Sequence, residues 1–85
     1  MSIDTIYEDI RNEDVLFGPH LNQRMYENGI SIEQVLDVIL TGTIRKKEKD
    51  EKSGGKFTKF TIAKGALYVV VKDSRPPFII TANRR

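Results

Sequence analysis

The chain has 85 residues, of which 39% are hydrophobic and 31% are charged, and its formal net charge is +2. This length fits one domain over residues 1–85, and the longest apolar run, residues 66–71, is far too short for a membrane-spanning helix. The absence of cysteine excludes disulfides and thiolate metal sites, and one histidine is too few for a typical zinc centre, so we expect neither a metal nor a cofactor.

Charge is distributed unevenly along the chain. Residues 1–17 have a balance of −4, whereas residues 42–64 carry eight bases and three acids. Such asymmetry is typical of a basic surface that faces a polyanion. Exposed lysines that keep strand edges from aggregating would give the same composition, so both interpretations stay open.

Two short helices are predicted before residue 30. The first runs from its N-cap Ser2 to about Arg11, with one apolar stripe along it. Residues 15–17 form a short extended piece or lead into the next helix. The second helix starts at Pro19 or His20 and runs to Glu27, and its buried stripe is Leu21 and Met25. Asn28 and Gly29 end it, with the glycine in the left-handed conformation.

A third helix is predicted from a capping box, in which Ser31 and Gln34 exchange hydrogen bonds with each other's backbone. The helix runs to about Leu40 and ends at Thr41 and Gly42. Its expected buried residues are Ile32, Val35, Leu36 and Ile39.

After Gly42 the apolar pattern changes to alternation, which is typical of strands. Four strands are predicted, at residues 43–48, 56–63, 66–72 and 78–83. Their short connections favour antiparallel neighbours. The sequence therefore predicts an α+β domain in which two or three N-terminal helices pack on one face of a four-stranded antiparallel sheet.

Alternation also predicts which strand residues face the helices. The expected inner residues are Phe60, Ile62, Leu67, Val69, Val71, Phe78, Ile80 and Ala82. The expected outer residues are Phe57, Lys59, Thr61, Tyr68, Val70, Lys72, Ile79, Thr81 and Asn83. An outer face that mixes lysine, threonine, tyrosine and asparagine is either a solvated sheet surface or a binding face for phosphates and bases.

The only histidine, His20, lies four residues before Arg24, so the two side chains share one face if the stretch is helical. An imidazole can exchange a proton with a ribose 2′-hydroxyl or with the leaving oxygen, and a guanidinium can hold the phosphate between them. The alternative is a surface histidine packed beside an arginine that snorkels or pairs with Glu27. The pair alone does not distinguish these.

The wider pattern reads H-x-x-x-R-M, then G-I-S-x-E-x-V, G-K-x-x-x-F, a V-V-V strand and a final I-I-T. This resembles a family of small bacterial domains of unknown function that occur in toxin–antitoxin pairs and polymorphic toxins. These are similar to the RNase group that spans barnase, EndoU, the tRNA-cleaving colicins and the RelE toxins. The chain departs from the family pattern at Asn28, where an arginine is usual, and at Asn83, where a tyrosine is usual.

The resemblance implies a RelE/barnase-like fold and a metal-independent endoribonuclease that cleaves tRNA or mRNA through attack by the 2′-hydroxyl. The catalytic residues would be His20, Arg24, Lys56, Tyr68 and Thr81. The RNA-binding residues would be Arg45, Lys46, Lys47, Lys59 and Asn83.

A toxin of this kind implies a cognate antitoxin or immunity protein, acidic where it covers the basic face. We expect no membrane partner. The site of action would be the cytoplasm, of the producing cell or of a target cell if the domain is delivered within a larger effector. A non-catalytic RNA-binding or protein-interaction module of the same fold remains the alternative.

Overall fold

A computed structural model describes residues 3–85 and shows an α+β domain with three helices and one open, five-stranded mixed sheet. The helices are α1 (Ile3–Arg11), α2 (Leu21–Asn28) and α3 (Ile32–Thr41), and the strands are β1 (Leu16–Phe17), β2 (Thr43–Lys49), β3 (Thr58–Lys64), β4 (Leu67–Lys72) and β5 (Phe78–Arg84). A single 3₁₀ turn, Glu51–Ser53, lies between β2 and β3.

The sheet has the strand order β1-β5-β4-β3-β2, so the short strand β1 and the long strand β2 form its edges. Strands β2 to β5 are antiparallel neighbours, as the short connections predicted. The four predicted strands did not include β1, which pairs with β5 in parallel through only two residues. Of the two alternatives given for residues 15–17, the short extended piece is the one observed. Two residues carry too little alternation to identify a strand.

The helices begin and end close to where the sequence placed them. In α3, the Ser31 hydroxyl accepts from the Gln34 amide and the Gln34 side chain accepts from the Ser31 amide, which confirms the capping box. In α2, His20 is the N-cap residue, so the helix proper starts at Leu21. The predicted N-cap of α1, Ser2, lies outside the described residues.

The core lies between the helices and the inner face of the sheet. Buried in it are Ile6, Ile10, Leu21, Met25, Val35, Val38 and Ile39 from the helices and Phe60, Ile62, Val69, Val71, Ile79 and Ala82 from the sheet. Of the residues expected to be buried in α3, Ile32 is instead 43% exposed, and Val38 takes a place in the core.

A β-bulge in β5 makes part of the predicted alternation wrong. Val70 pairs with Thr81 and Val71 pairs with Ile79, so Ile80 is an extra residue. A one-residue insertion exchanges the faces of the residues beyond it. Consequently Ile79 is fully buried in the core, whereas Phe78 and Ile80, which were expected there, line a cleft beside two lysines of the outer face.

An ion pair attaches α1 to the loop before β5. The carboxylate of Asp9 is buried, and Arg75 donates to both of its oxygens at 2.7 and 3.1 Å.

None of the helices in residues 3–85 has the length and apolar content that crossing a membrane requires.

Candidate functional site

The position of His20 is set by the close approach of Gly18 to strand β5. The Gly18 amide donates to the carbonyl of Ile79 at 2.9 Å, continuing the pairing of β1 with β5. A Cβ at Gly18 would lie 3.0 Å from that carbonyl oxygen, so a larger residue would require the strand to shift by a few tenths of an ångström. This contact starts α2 at the sheet edge.

Four exposed side chains of the first two turns of α2 line one open depression of about 510 Å³. We call this surface the α2 face, and it consists of His20, Gln23, Arg24 and Glu27. The opposite side of the helix buries Leu21 and Met25 in the core, as predicted. A helix anchored in this way presents the α2 face outward because residues three, four and seven apart share a side.

The charged groups of the α2 face are not engaged elsewhere in the described part of the chain. Within residues 3–85, no ion pair or side-chain hydrogen bond involves the guanidinium of Arg24, the carboxylate of Glu27 or the imidazole of His20. The pairing of Arg24 with Glu27, one form of the alternative given for this pair, is therefore not observed, whereas His20 and Arg24 are both exposed at the surface. The guanidinium is available to an anion from solution.

A second, smaller site lies on the outer face of the sheet. This cleft of about 140 Å³, which we call the lysine cleft, is lined by Asp50, Lys52, Lys59, Lys72, Phe78 and Ile80. Its elements are the 3₁₀ turn and strands β3, β4 and β5, brought together because Lys59 pairs with Lys72 and Lys72 pairs with Phe78. It therefore combines positive charge with an apolar wall.

Lys72 is the most firmly held side chain of the lysine cleft. Its ammonium lies 3.6 Å from Oδ2 of Asp50, a side chain that is only 5% exposed. The same ammonium lies 5.0 Å from the ring centre of Phe78 and 5.6 Å from that of Phe57. Cation–π attraction and the buried carboxylate together fix the position of this charge. Asp50 Oδ2 accepts no hydrogen bond in the described structure.

The other predicted catalytic residues lie away from the α2 face. Tyr68 and Thr81 are half-buried in β4 and β5, on the outer side of the sheet. Lys56 is exposed in the loop before β3, with its ammonium 5.6 Å from the ring centre of Phe57. The structure therefore brings His20 and Arg24 together in one depression, and none of these three residues lines it.

The predicted RNA-binding residues are divided between the two sides of the sheet. Lys59 belongs to the lysine cleft, and Asn83 on the same outer face donates to the Thr81 hydroxyl at 2.9 Å. Lys46 pairs with Glu48 at 3.5 Å. Lys47 lies over the ring of Phe60, a core residue, and so is on the side of the helices.

The basic side chain of Arg45 is set apart from its neighbours by a local irregularity. Arg45 is the extra residue where the register of β2 against β3 shifts, between the pairs Ile44–Ile62 and Lys46–Thr61. The residue is exposed at the sheet edge. No contact in the described structure gives it a further role.

Several residues that line the two sites were not predicted from the sequence. Gln23 and Glu27 share a face with His20 and Arg24, and their spacing of three and seven residues from His20 was a usable signal. Asp50 and Lys52 were not predicted as site residues. Asp50 precedes the 3₁₀ turn and Lys52 lies in it, so neither follows the alternation of a strand or the spacing of a helix.

Among residues 3–85, no group of three or more histidine, cysteine or acidic side chains is placed to hold a metal ion.

A family model described as "Domain of unknown function (DUF4258)" matches residues 17–84, which include both sites but not α1. Neither the curated proteins nor the solved structures contain a significant match to this chain.

Proposed function

The chain belongs to the family described as Domain of unknown function (DUF4258), and we propose that it is a metal-independent endoribonuclease toxin domain. The observation that carries the proposal is the α2 face, where an unpaired guanidinium lies between an imidazole and a carboxylate on one exposed side of a helix. The resemblance of its motifs to the RNase group of barnase and RelE supports the same conclusion.

RNA cleavage without a metal needs three functions. A base removes the proton of the 2′-hydroxyl as its oxygen attacks the adjacent phosphorus, and an acid protonates the 5′-oxygen as the P–O5′ bond breaks. A fixed positive charge stabilises the phosphorane oxygens that carry the developing charge. The products are a 2′,3′-cyclic phosphate and a 5′-hydroxyl, so the atoms and protons balance without a cofactor.

The α2 face supplies one group for each function. Glu27 and His20 provide a carboxylate and an imidazole, of which one acts as base and the other as acid. Seven residues of helix separate them by about 10 Å along the axis, and the side chains can lean toward the centre. Arg24 lies between them, where its N–H groups would hold the non-bridging oxygens in a bidentate manner.

The other predicted residues keep a supporting role in this proposal. Lys56, Lys59, Tyr68, Thr81 and the basic residues of β2 would contact RNA outside the scissile phosphate. A cognate antitoxin or immunity protein would cover the α2 face or the basic surface to protect the producing cell. The reaction would take place in the cytoplasm, where RNA is accessible.

The test compares the wild type with His20→Ala, Arg24→Gln and Glu27→Gln in cleavage of total RNA, with EDTA present. Each variant should lose about 10²- to 10⁴-fold in rate, the usual contribution of an acid, a base or an oxyanion contact. Gln23→Ala is the matched control, because Gln23 lines the same depression without offering a proton or a charge. Circular dichroism verifies that each variant is folded.

End-group analysis of the fragments should detect the 2′,3′-cyclic phosphate. The proposal fails if the folded wild type leaves RNA intact, or if the three variants cleave as fast as the control.

A non-catalytic module that binds RNA or protein is the second candidate. It is favoured by the separation of Tyr68 and Thr81 from the α2 face and by the departures at Asn28 and Asn83. For a binder, RNA affinity would be measurable and equal in the wild type and His20→Ala, with no cleavage by either. Absence of RNA affinity would point to a protein partner.

A further inference from the structure

We propose that the lysine cleft binds a phosphate group of an RNA backbone and so forms a second anchoring site next to the α2 face. The inference rests on the proposed function in one respect, namely that the polyanion is RNA. It assigns a ligand class to a site that does not contain His20 or Arg24.

Two lysines of neighbouring strands place like charges side by side at the cleft. Lys59 and Lys72 are directly opposite each other on the antiparallel strands β3 and β4, and both side chains line the cleft. Like charges in opposite positions of a sheet destabilise it. Glu48, 3.8 Å from Lys59, and Asp50, 3.6 Å from Lys72, balance part of this repulsion, and an anion bound between the two ammonium groups would interact favourably with both.

The ammonium groups of Lys59 and Lys72 are held in place in the free protein. Lys72 is restrained by Asp50 and by two aromatic rings, and Lys59 lies 3.8 Å from Glu48. Ordering a lysine upon binding normally costs free energy, and restraint in the free protein reduces that cost. With Lys52 at the rim, three ammonium groups face one cleft carboxylate, which leaves an excess of positive charge.

The volume of the cleft and the side chains that line it suit a phosphate group with its sugar or base. A cleft of about 140 Å³ holds a few waters, each with a share of about 30 Å³, and so admits a phosphate group rather than a protein segment. Phe78 and Ile80 provide an apolar wall on which a ribose or base can pack, as aromatic rings do in single-strand binding proteins. An inorganic anion would leave this wall unused.

The position of the cleft also connects it to the α2 face. A Cβ at Gly18 would lie 3.4 Å from the ring of Phe78 and 3.3 Å from the carbonyl of Ile80. His20 is two residues from Gly18, so their Cα atoms are at most about 7 Å apart. The backbone that leads into α2 is therefore close to one wall of the cleft.

The experiment measures binding of a fluorescent, fully 2′-O-methylated RNA of about 12 nucleotides, which has no 2′-hydroxyl to attack. Lys59→Gln is compared with Lys64→Gln by fluorescence anisotropy between about 50 and 200 mM salt. The two variants remove the same charge from the same strand. Lys64 is the matched control because it is directed at Asp37 of α3, away from the cleft.

Lys59→Gln should weaken binding about fivefold near 0.1 M salt and lower the slope of log affinity against log salt by about 0.7, the value for one phosphate contact on a single strand. Lys64→Gln should change neither quantity by as much. Lys52→Gln, an exposed residue of the cleft rim, should repeat the effect of Lys59→Gln without disturbing the Asp50–Lys72 pair.

Two results would overturn the inference. Equal losses in Lys59→Gln and Lys64→Gln would mean that only overall charge matters, and occupancy by inorganic phosphate without RNA affinity would remove RNA as the ligand. Because the probe cannot be cleaved, these outcomes are independent of whether His20→Ala abolishes catalysis.

Discussion

Replacement of Gly42 by alanine should destabilise the domain more than replacement of any glycine in a turn. Gly42 joins α3 directly to β2, and its dihedral angles, φ −79° and ψ −179°, are open to every residue type. What the position lacks is space. A Cβ would lie 2.8 Å from the carbonyl oxygen of Ala63 and 2.9 Å from Cγ2 of Ile62, and closer still to the carbonyl oxygen of Val38.

The size of the effect follows from which atoms would have to move. Two of the three neighbours are backbone carbonyls, so relief requires a shift of the end of α3 against β3. Overpacking of this kind costs about 3 kcal/mol, the upper end of the usual range. For a domain of this length, each kcal/mol lowers the melting temperature by roughly 4–8 °C, so Gly42→Ala should lower it by roughly 12–24 °C.

Gly65→Ala is the matched comparison. Gly65 has φ +59°, a conformation that penalises alanine, but no atom lies within 4 Å of a Cβ there. The expected cost is about 1 kcal/mol, from backbone conformation alone. Thermal unfolding followed by circular dichroism gives the melting temperature of each variant. If Gly42→Ala melts at or above the temperature of Gly65→Ala, steric crowding at Gly42 does not determine its effect on stability.

Further outcomes are expected at three positions. Ser31→Ala removes the capping box of α3 and should cost about 1 kcal/mol in urea unfolding, whereas Ser31→Asp should retain most of the stability. Arg75→Met leaves the buried Asp9 carboxylate without its partner, so it should lower the melting temperature more than the double variant with Asp9→Asn does; a lower value for the double variant would contradict this. The hydrogen bond from Lys64 lowers the pKa of Asp37 below its ordinary value of 3.8, so the stability that the pair contributes is present above about pH 4 and lost as the pH falls through the folded pKa. The difference in stability between wild type and Asp37→Asn should therefore shrink below about pH 4, and a difference that grows there would refute the assignment.

The elements that sequence predicted well are those whose signals are local. The capping box of Ser31 and Gln34 defines the start of α3 without reference to the rest of the fold. Gly29 was expected to end α2 in the left-handed conformation, and its φ is +64°. Because such signals depend on a few neighbouring residues, a single sequence contains them in full.

The elements that sequence predicted poorly depend on partners far along the chain. β1 is a strand only because residues near 78 pair with it, and the extra residue Ile80 is recognisable only against β4. The same holds for the candidate sites. The α2 face follows helical spacing and was half predicted, whereas the lysine cleft joins Asp50 to Lys72 across a topology that no local pattern specifies.

The basic composition of residues 42–64, for which sequence left two interpretations, divides in the structure into two groups of lysines. Lys47 lies over a core ring and Lys64 donates to Asp37 and Thr41, so these charges already have partners that stabilise the fold. Lys59 lies between Glu48 of β2, an opposite charge at 3.8 Å, and Lys72 of β4, a like charge. The convergence of ammonium groups at the lysine cleft is therefore the part of the basic surface for which we propose an external anion as ligand.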